Sequence, residues 1–319
     1  MTTTVLLADP ALGRLADRFA ERLPDDVRVV AVRGFDDEEF GRLAGDAEIL
    51  VNARRPIGAD ALRLAPRTRL IQCIGVGIDA IDLEAARAAG VAVAYNPGVN
   101  RTGAAEHTLM LMLALIKRLP ISEHVTRAGR FSPGDVIGAG IDDLADAIVG
   151  VVGMGEIGRT VAALVAAFGS RVVYASRRPN PEVDAALGAR RLALDELLET
   201  ANIVTLHVPL GPETHNLIGA EELARMRPGS WLVNCGRGGL VDEAALRDAV
   251  VSGHLAGAAL DVLEHENDGT NPFADLPQVI VTPHVGGGSR NSMAGVVERS
   301  TANIRRFLAG EGLRDQVVP

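Results

Sequence analysis

Short apolar runs recur through the first third of the chain, at 5–8, 27–32, 49–52, 70–74 and 91–95, and each reads as a buried strand. Between them lie stretches with helical spacing of apolar positions, such as 11–23 and 82–89. Strands that alternate with helices imply a parallel sheet covered on both faces. A longer helix is expected over 102–119, and its apolar run at 109–116 is too short to span a bilayer, so it predicts one buried face. Residues 120–146 interrupt the pattern with Gly129, Pro133, Gly134, Gly138 and Gly140 and read as an irregular arm. The charged stretch at 36–39 reads as a solvated helix start. A second strand–helix series opens at Ile148, with later strands expected at 171–175, 203–208, 231–234, 256–261 and 279–282 and a final helix over 291–308. The expected fold is α/β, with two Rossmann-like domains of parallel strands. One domain, of flavodoxin type, combines 1–98 with 289–319; the other, 99–288, is inserted into it.

A length of 319 residues suits two domains, and a hydrophobic content of 47% is ample for their cores. The net charge of −9 argues against a nucleic-acid or membrane-surface partner. Only two cysteines occur, Cys73 and Cys235, both within apolar runs, which suits a reduced cytoplasmic protein without a disulfide framework. The N-terminal residues lack the charged start and long apolar core of a signal peptide. No fixed-period repeat, low-complexity tract or metal-ligand spacing is present in the sequence.

The most informative stretch is an apolar strand that runs into Gly153-Met154-Gly155-Glu156-Ile157-Gly158, followed by a helical pattern over 159–168. Strand, G-x-G-x-x-G and helix in that order form a dinucleotide-binding arrangement. Gly153 permits the tight turn, Gly155 lets a pyrophosphate approach the backbone, and Gly158 lets the helix lie close to the strand. A NAD-binding unit usually places an acid at the end of the next strand, where it binds the ribose 2′-hydroxyl. Here that strand ends in Ser176-Arg177-Arg178. Guanidiniums suit a 2′-phosphate, so NADP(H) is expected in preference to NAD(H), which remains usable.

Three polar residues stand at expected strand ends, where chemistry gathers in open α/β sheets. Arg237 lies in a loop of small residues and could reach a substrate carboxylate or carbonyl, or merely a helix end. His284, in Thr282-Pro283-His284-Val285-Gly286-Gly287-Gly288, could pass a proton near neutral pH, with His207 as its rival. Glu266 could hold the histidine, but Glu264 and Asp261 compete, and spacing alone does not choose among them. The pair Arg54-Arg55 after a strand could bind a substrate phosphate, although a solvated pair is the preferred reading.

Over essentially its whole length the chain resembles the D-isomer-specific 2-hydroxyacid dehydrogenases. The matching stretches include Gly75-Val76-Gly77-Ile78-Asp79, the glycine motif, His207-Val208-Pro209-Leu210 with Glu213-Thr214-His215, Asn234-Cys235-Gly236-Arg237-Gly238, and Thr282 to Gly287. The resemblance implies Arg237, Glu266 and His284 as catalytic residues and Gly75, Val76 and Gly77 as the loop that binds the substrate carboxylate; Arg54, from its place after a strand, is a further candidate substrate contact. It implies coenzyme contacts at Gly153, Gly155, Glu156, Ile157, Gly158, Ser176, Arg177, Arg178, Val208, Pro209, Thr214, Cys235, Asp261 and Gly286, with Asp261 holding the nicotinamide amide. It further implies hydride exchange with a small 2-oxo or 2-hydroxy acid, domain closure that excludes water, and a homodimer involving the 120–146 arm. Ser176 departs from the acid usual in NAD-using members, and Asn267 stands where proline often follows the glutamate, so a different loop is expected there. A glyoxylate or hydroxypyruvate reductase is the leading expectation. The alternatives are a biosynthetic enzyme acting on 3-phosphoglycerate and a non-catalytic dinucleotide sensor such as the corepressors on this fold.

Overall fold

The computed structural model describes residues 2–318, apart from the side chain of Asn267. Two compact units make up the chain: Met1–Asn100 with Arg290–Pro319, and Arg101–Ser289. The first unit contains β1 (Thr3–Leu7), β2 (Val27–Ala31), β3 (Ile49–Asn52), β4 (Leu70–Cys73) and β5 (Ala92–Ala94). These are parallel, in the order β5-β4-β3-β1-β2, the flavodoxin-type arrangement. Every residue of β3 and β4 is buried, as expected for parallel strands covered on both faces. Leu6, Leu50, Ile71 and Val93 pack on one face. Leu7, Ile49, Val51 and Leu70 pack on the other, with Val297 and Ile304 of the helix Arg290–Leu308.

The second unit contains β6 (Ile148–Val152), β7 (Arg171–Ala175), β8 (Arg190–Arg191), β9 (Ile203–Leu206), β10 (Ser230–Asn234), β11 (Leu255–Leu260) and β12 (Val279–Val281). They form one 7-stranded parallel sheet, ordered β12-β11-β10-β9-β6-β7-β8. Strand order reverses between β6 and β9, so the crevice where ligands bind such sheets opens at the carboxyl ends of these two strands. The last strand, β13 (Gln316–Val318), returns to the first unit and pairs antiparallel with β5, completing a 6-stranded sheet.

Three expectations need correction. The 120–146 segment is not irregular throughout, because it holds the helices Leu119–Arg127 and Pro133–Ile137. Arg118 breaks the preceding helix, Arg101–Ile116, with a left-handed φ of 53°. Its guanidinium donates to Gly140 O at 3.0 Å and Ala256 O at 3.2 Å and lies 4.4 Å from the Trp231 ring centre, which fixes the turn. Next, Arg55 is not solvated: it is only 3% exposed and donates to Ala8 O and Gly34 O, each at 2.9 Å. It lies 4.6 Å from the Phe40 ring centre, so its charge ties two strand ends to the following loop. The strands β8 and β13 were not foreseen. Among the described residues, no helix is long and apolar enough to cross a membrane.

Candidate active site

The glycine motif forms the turn between β6 and the helix Glu156–Ala167. Gly153 has φ 96°, and a Cβ there would fall 2.4 Å from His207 O at the end of β9. At Gly158 a Cβ would meet Gly153 O at 2.0 Å, so only glycine lets the helix approach the strand this closely. Gly155 is different, because nothing lies within 4 Å of its Cβ position. That open cradle sits at a helix start whose N-cap, Gly155, makes no side-chain hydrogen bond. Backbone N–H groups are therefore presented for an anion, and the residues fit a dinucleotide pyrophosphate. Glu156, in the first turn, does not oppose this, since its carboxylate is engaged by Arg101 at 3.2 Å and by Arg159. Burial works to raise the Glu156 carboxyl, but hydrogen bonds and charge from Arg159 and Arg101 outweigh it and hold it below its usual range. Ile157 packs partly buried against the core beneath the helix.

Beyond β9 the loop carrying Val208 and Pro209 is fixed by Thr214, whose hydroxyl donates to Pro209 O at 2.7 Å and accepts from Gly211 N at 2.9 Å. His207 lies in the same crevice, 3.0 Å from the Thr205 hydroxyl. Desolvation lowers its imidazole to about 4, so it is neutral at pH 7 and a poor proton donor. Cys235 is pushed up to about 12, chiefly by burial, so its thiol is inert and serves as apolar wall.

His284 leaves β12 through Pro283 and has φ 53°, a strained conformation for a residue with a side chain. Its N–H donates to Asp261 O at 2.8 Å, and Asp261 follows β11 directly. The Asp261 side chain holds the rest of this loop. Oδ1 accepts from the Thr282 hydroxyl at 2.6 Å and Val285 N at 3.0 Å, and Oδ2 accepts from Gly286 N at 2.8 Å. His107 Nε2, from the helix Arg101–Ile116, completes the cluster 3.2 Å from Asp261 Oδ1 and 3.0 Å from the Thr282 hydroxyl. Burial would raise the Asp261 carboxyl, but hydrogen bonds from His107, Thr282, Gly286 and Val285 more than offset it and keep the group below its usual range.

With the loop held this way, His284 Nδ1 meets Glu266 at 2.9 Å from Oε1 and 3.0 Å from Oε2. Both side chains are largely buried but reach solvent. With Nδ1 facing the carboxylate, Nε2 is left to exchange a proton. The rival carboxylates have other partners: Glu264 contacts His215 Nε2 at 3.1 Å, and Asp261 belongs to the loop cluster. Glu266 starts the short 3-10 turn Glu266–Asp268; the side chain of Asn267 lies outside the described residues. Arg237 stands one loop away. Asn234 shapes that loop, accepting from Gly236 N at 2.9 Å and donating to Arg237 O at 2.8 Å. Gly238 presses against the segment that leads to Glu266, since a Cβ there would lie 2.0 Å from the Leu263 carbonyl carbon. The arginine loop and the glutamate segment are thus packed backbone to backbone, and Arg237 Nη1 donates to Gly236 O at 2.8 Å.

At the end of β7, Arg177 and Arg178 are exposed and form no ion pair among the described residues, while the Ser176 hydroxyl donates to Arg178 O. In the first unit, Ile74, Gly75 and Val76 form a bend after β4, Gly77 follows it, and the Val76 side chain is exposed. Arg54 is bound to the fully buried Asp9, with Nε 3.2 Å and its backbone N 3.0 Å from Oδ2. Two contributors carried no sequence signal of function. His107 is one of several polar residues in the first half of its helix, and Arg191 sits on the edge strand β8. Among the described residues, no cluster of three or more histidine, cysteine or carboxylate side chains could hold a metal ion.

The parallel 7-stranded sheet, the glycine cradle and the histidine–carboxylate pair define a dinucleotide-binding unit of dehydrogenase type. Residues 109–286 match the model of the NAD binding domain of D-isomer specific 2-hydroxyacid dehydrogenases, and the chain belongs to that family. A D-3-phosphoglycerate dehydrogenase of Mycobacterium bovis is 38% identical over 98% of the chain, which spans 58% of that relative's length. A glyoxylate reductase of Aeropyrum pernix is 36% identical over 80% of the chain and 78% of its own length. Among solved structures, a D-lactate dehydrogenase of Aquifex aeolicus, complexed with NAD and lactic acid, superposes with a TM-score of 0.85 at 27% identity, covering 97% of this chain and 96% of that one.

Proposed function

We propose that the protein is an NADP(H)-preferring oxidoreductase that interconverts small 2-oxo acids and D-2-hydroxy acids, of the glyoxylate or hydroxypyruvate reductase type, with NAD(H) as a weaker coenzyme. The observation that carries the reading is the His284–Glu266 pair, with Nδ1 held at 2.9 and 3.0 Å on the sheet end that also bears the glycine cradle. When bound, the nicotinamide coenzyme supplies or accepts the hydride. His284 protonates the oxygen that becomes the hydroxyl, from Nε2, and takes that proton back in oxidation. Glu266 accepts from Nδ1–H throughout, so it fixes the tautomer and stabilises the imidazolium. Arg237 binds and polarises the oxo acid through its planar fork. Removing one such preorganised donor typically costs about 3–4 kcal/mol of transition-state stabilisation. For the substrate carboxylate the reading uses the N–H groups of Gly75, Val76 and Gly77. Arg54 is the weaker candidate, since Asp9 already takes its charge.

Coenzyme preference rests on Ser176, Arg177 and Arg178 at the strand end where a NAD-type ribose acid would stand. The unpaired thiols Cys73 and Cys235 fit a reducing, cytoplasmic setting. A homodimer is proposed through the arm, where Leu119 and Ile137 on its helices and the 91%-exposed Phe131 in the connection between them are uncovered. The second reading, a 3-phosphoglycerate dehydrogenase, is favoured by the 38% identity to the M. bovis enzyme. The burial of Arg55 and the pairing of Arg54 weigh against the phosphate site expected for it in the first unit.

The test is an initial-rate screen of glyoxylate, hydroxypyruvate and 3-phosphohydroxypyruvate with NADPH and with NADH. The highest kcat/KM is expected for a non-phosphorylated oxo acid with NADPH. A preference for the phosphorylated acid would select the second reading. Tight coenzyme binding without turnover of any oxo acid would leave a dinucleotide sensor.

A further inference from the structure

The loop after β7 is held from a direction that the glycine motif does not reveal. β8 pairs with β7 at the edge of the sheet, placing Arg191 beside Tyr174. The Arg191 side chain turns back over the loop: Nε donates to Ser176 O at 3.0 Å, and Nη2 donates to Ser176 O at 2.8 Å and Arg177 O at 3.2 Å. The far end of the loop is tied as well. Asn180 N donates to the Tyr174 hydroxyl at 2.9 Å, and the Asn180 side chain caps the helix Pro181–Leu187. The five residues from Ser176 to Asn180 are therefore clamped at both ends, with Arg177 and Arg178 projecting between the clamps.

Charge at this place is unbalanced. Arg190 is matched by Glu196 at 3.3 Å. Arg177, Arg178 and Arg191 form no ion pair among the described residues; the nearby acids Glu182 and Asp184 lie in the first turn of the helix Pro181–Leu187. Three guanidiniums around one short loop repel one another unless an anion joins them, and the whole chain is negative by 9 charges. Backbone carbonyl oxygens are the groups that would repel such an anion, and Arg191 takes up those of Ser176 and Arg177. We propose that Arg191 is a specificity-determining positioning residue for the coenzyme's 2′-phosphate. It need not touch the phosphate. It sequesters two repelling carbonyls, adds positive potential, and fixes the loop so that little ordering is left to binding. The proposal rests on the NADP(H) reading given above.

The experiment is a calorimetric titration of the whole protein and of its Arg191→Gln and Arg191→Lys variants. The probes are adenosine 2′,5′-bisphosphate and adenosine 5′-monophosphate, which differ by the 2′-phosphate alone. Wild type should bind the bisphosphate more tightly. Arg191→Gln should lose about tenfold or more of that preference, with affinity for the monophosphate changed less than about twofold. Arg191→Lys should recover only part of the loss, because a point charge lacks the planar fork that spans two carbonyls. Melting curves identify any variant that does not fold, in which case the other carries the test. A variant that keeps the wild-type preference, or one that weakens both probes equally, overturns the role of Arg191 while leaving the NADP(H) reading intact. A wild-type protein that does not discriminate between the probes overturns that reading, and this proposal with it, before any variant is measured.

Discussion

Replacing Asp261 by asparagine changes almost no volume and tests whether its charge holds the histidine loop. Oδ1 accepts from Thr282, Val285 N and His107, whereas Oδ2 accepts from Gly286 N at 2.8 Å. The cheaper amide orientation therefore puts the new NH2 at Oδ2, donor against donor with a buried N–H. A hydrogen bond to a charged group contributes about 1.5–3 kcal/mol, and an unsatisfied buried donor costs about 1–3 kcal/mol. With relaxation of the loop, a loss of roughly 2–4 kcal/mol in the second unit is expected at pH 7. The assay is urea unfolding followed by Trp231, the one tryptophan, buried on β10. The pH dependence carries a sign. The folded-state pKa of Asp261 is depressed, so its stabilisation is present above the unfolded value of about 3.9 and lost as pH falls through the folded value. The gap between wild type and variant should thus narrow below about pH 4. Turnover should fall by about 10²-fold, the scale of a 1 Å misplacement of His284. A destabilisation under about 0.5 kcal/mol, or a gap unchanged from pH 7 to pH 3, refutes the reasoning.

Other expected outcomes are direct. His284→Gln should lower kcat for oxo-acid reduction by about 10²–10⁴-fold while leaving the dissociation constant of NADPH nearly unchanged; near wild-type turnover would return the acid role to another residue. In Glu266→Gln, kcat for oxo-acid reduction should fall while NADPH affinity stays nearly unchanged, since the imidazole loses the carboxylate 2.9 Å from Nδ1 that fixes its tautomer; wild-type turnover would leave Glu266 without that role. Phe131→Asp should lower the sedimenting mass from that of the proposed dimer to that of a monomer, and a mass equal to wild type would refute the proposed role of the arm.

The strands that the apolar pattern makes plain are those buried on both faces. The expected 49–52 and 171–175 coincide with β3 and β7, whose apolar residues are flanked by polar ones. β8 consists of two exposed arginines and β13 of a short edge, and neither carries a periodicity that a sequence could display. The arm reads as irregular because its glycines signal breaks, yet Pro120 stands in the first turn of a helix that ends before Gly129, and Pro133 starts one that accommodates Gly134. In the candidate site, Asp261, Glu264 and Glu266 lie within one short stretch, and spacing leaves them equivalent. They differ because the chain turns after β11, so each carboxylate faces a different histidine: His107, His215 and His284. The clustering of His107 with Thr282 and Asp261 joins residues 175 and 154 positions apart, a tertiary fact without local trace.

The interrupted first unit has a consequence for synthesis on the ribosome. The contiguous unit Arg101–Ser289 has all its strands once residue 289 has emerged. The other unit is made first yet remains incomplete, because Val297 and Ile304 cover one face of its sheet and β13 covers the β5 edge. At about 5–20 residues per second, the nascent chain exposes that apolar face and open edge until roughly 2–6 s after residue 290 is added. The hypothesis is that the later-made unit becomes protease-resistant first. Pulsed proteolysis of ribosome-stalled chains ending near residue 290, displaced far enough to clear the exit tunnel, would show it; resistance of the 1–100 segment at that stage would contradict it.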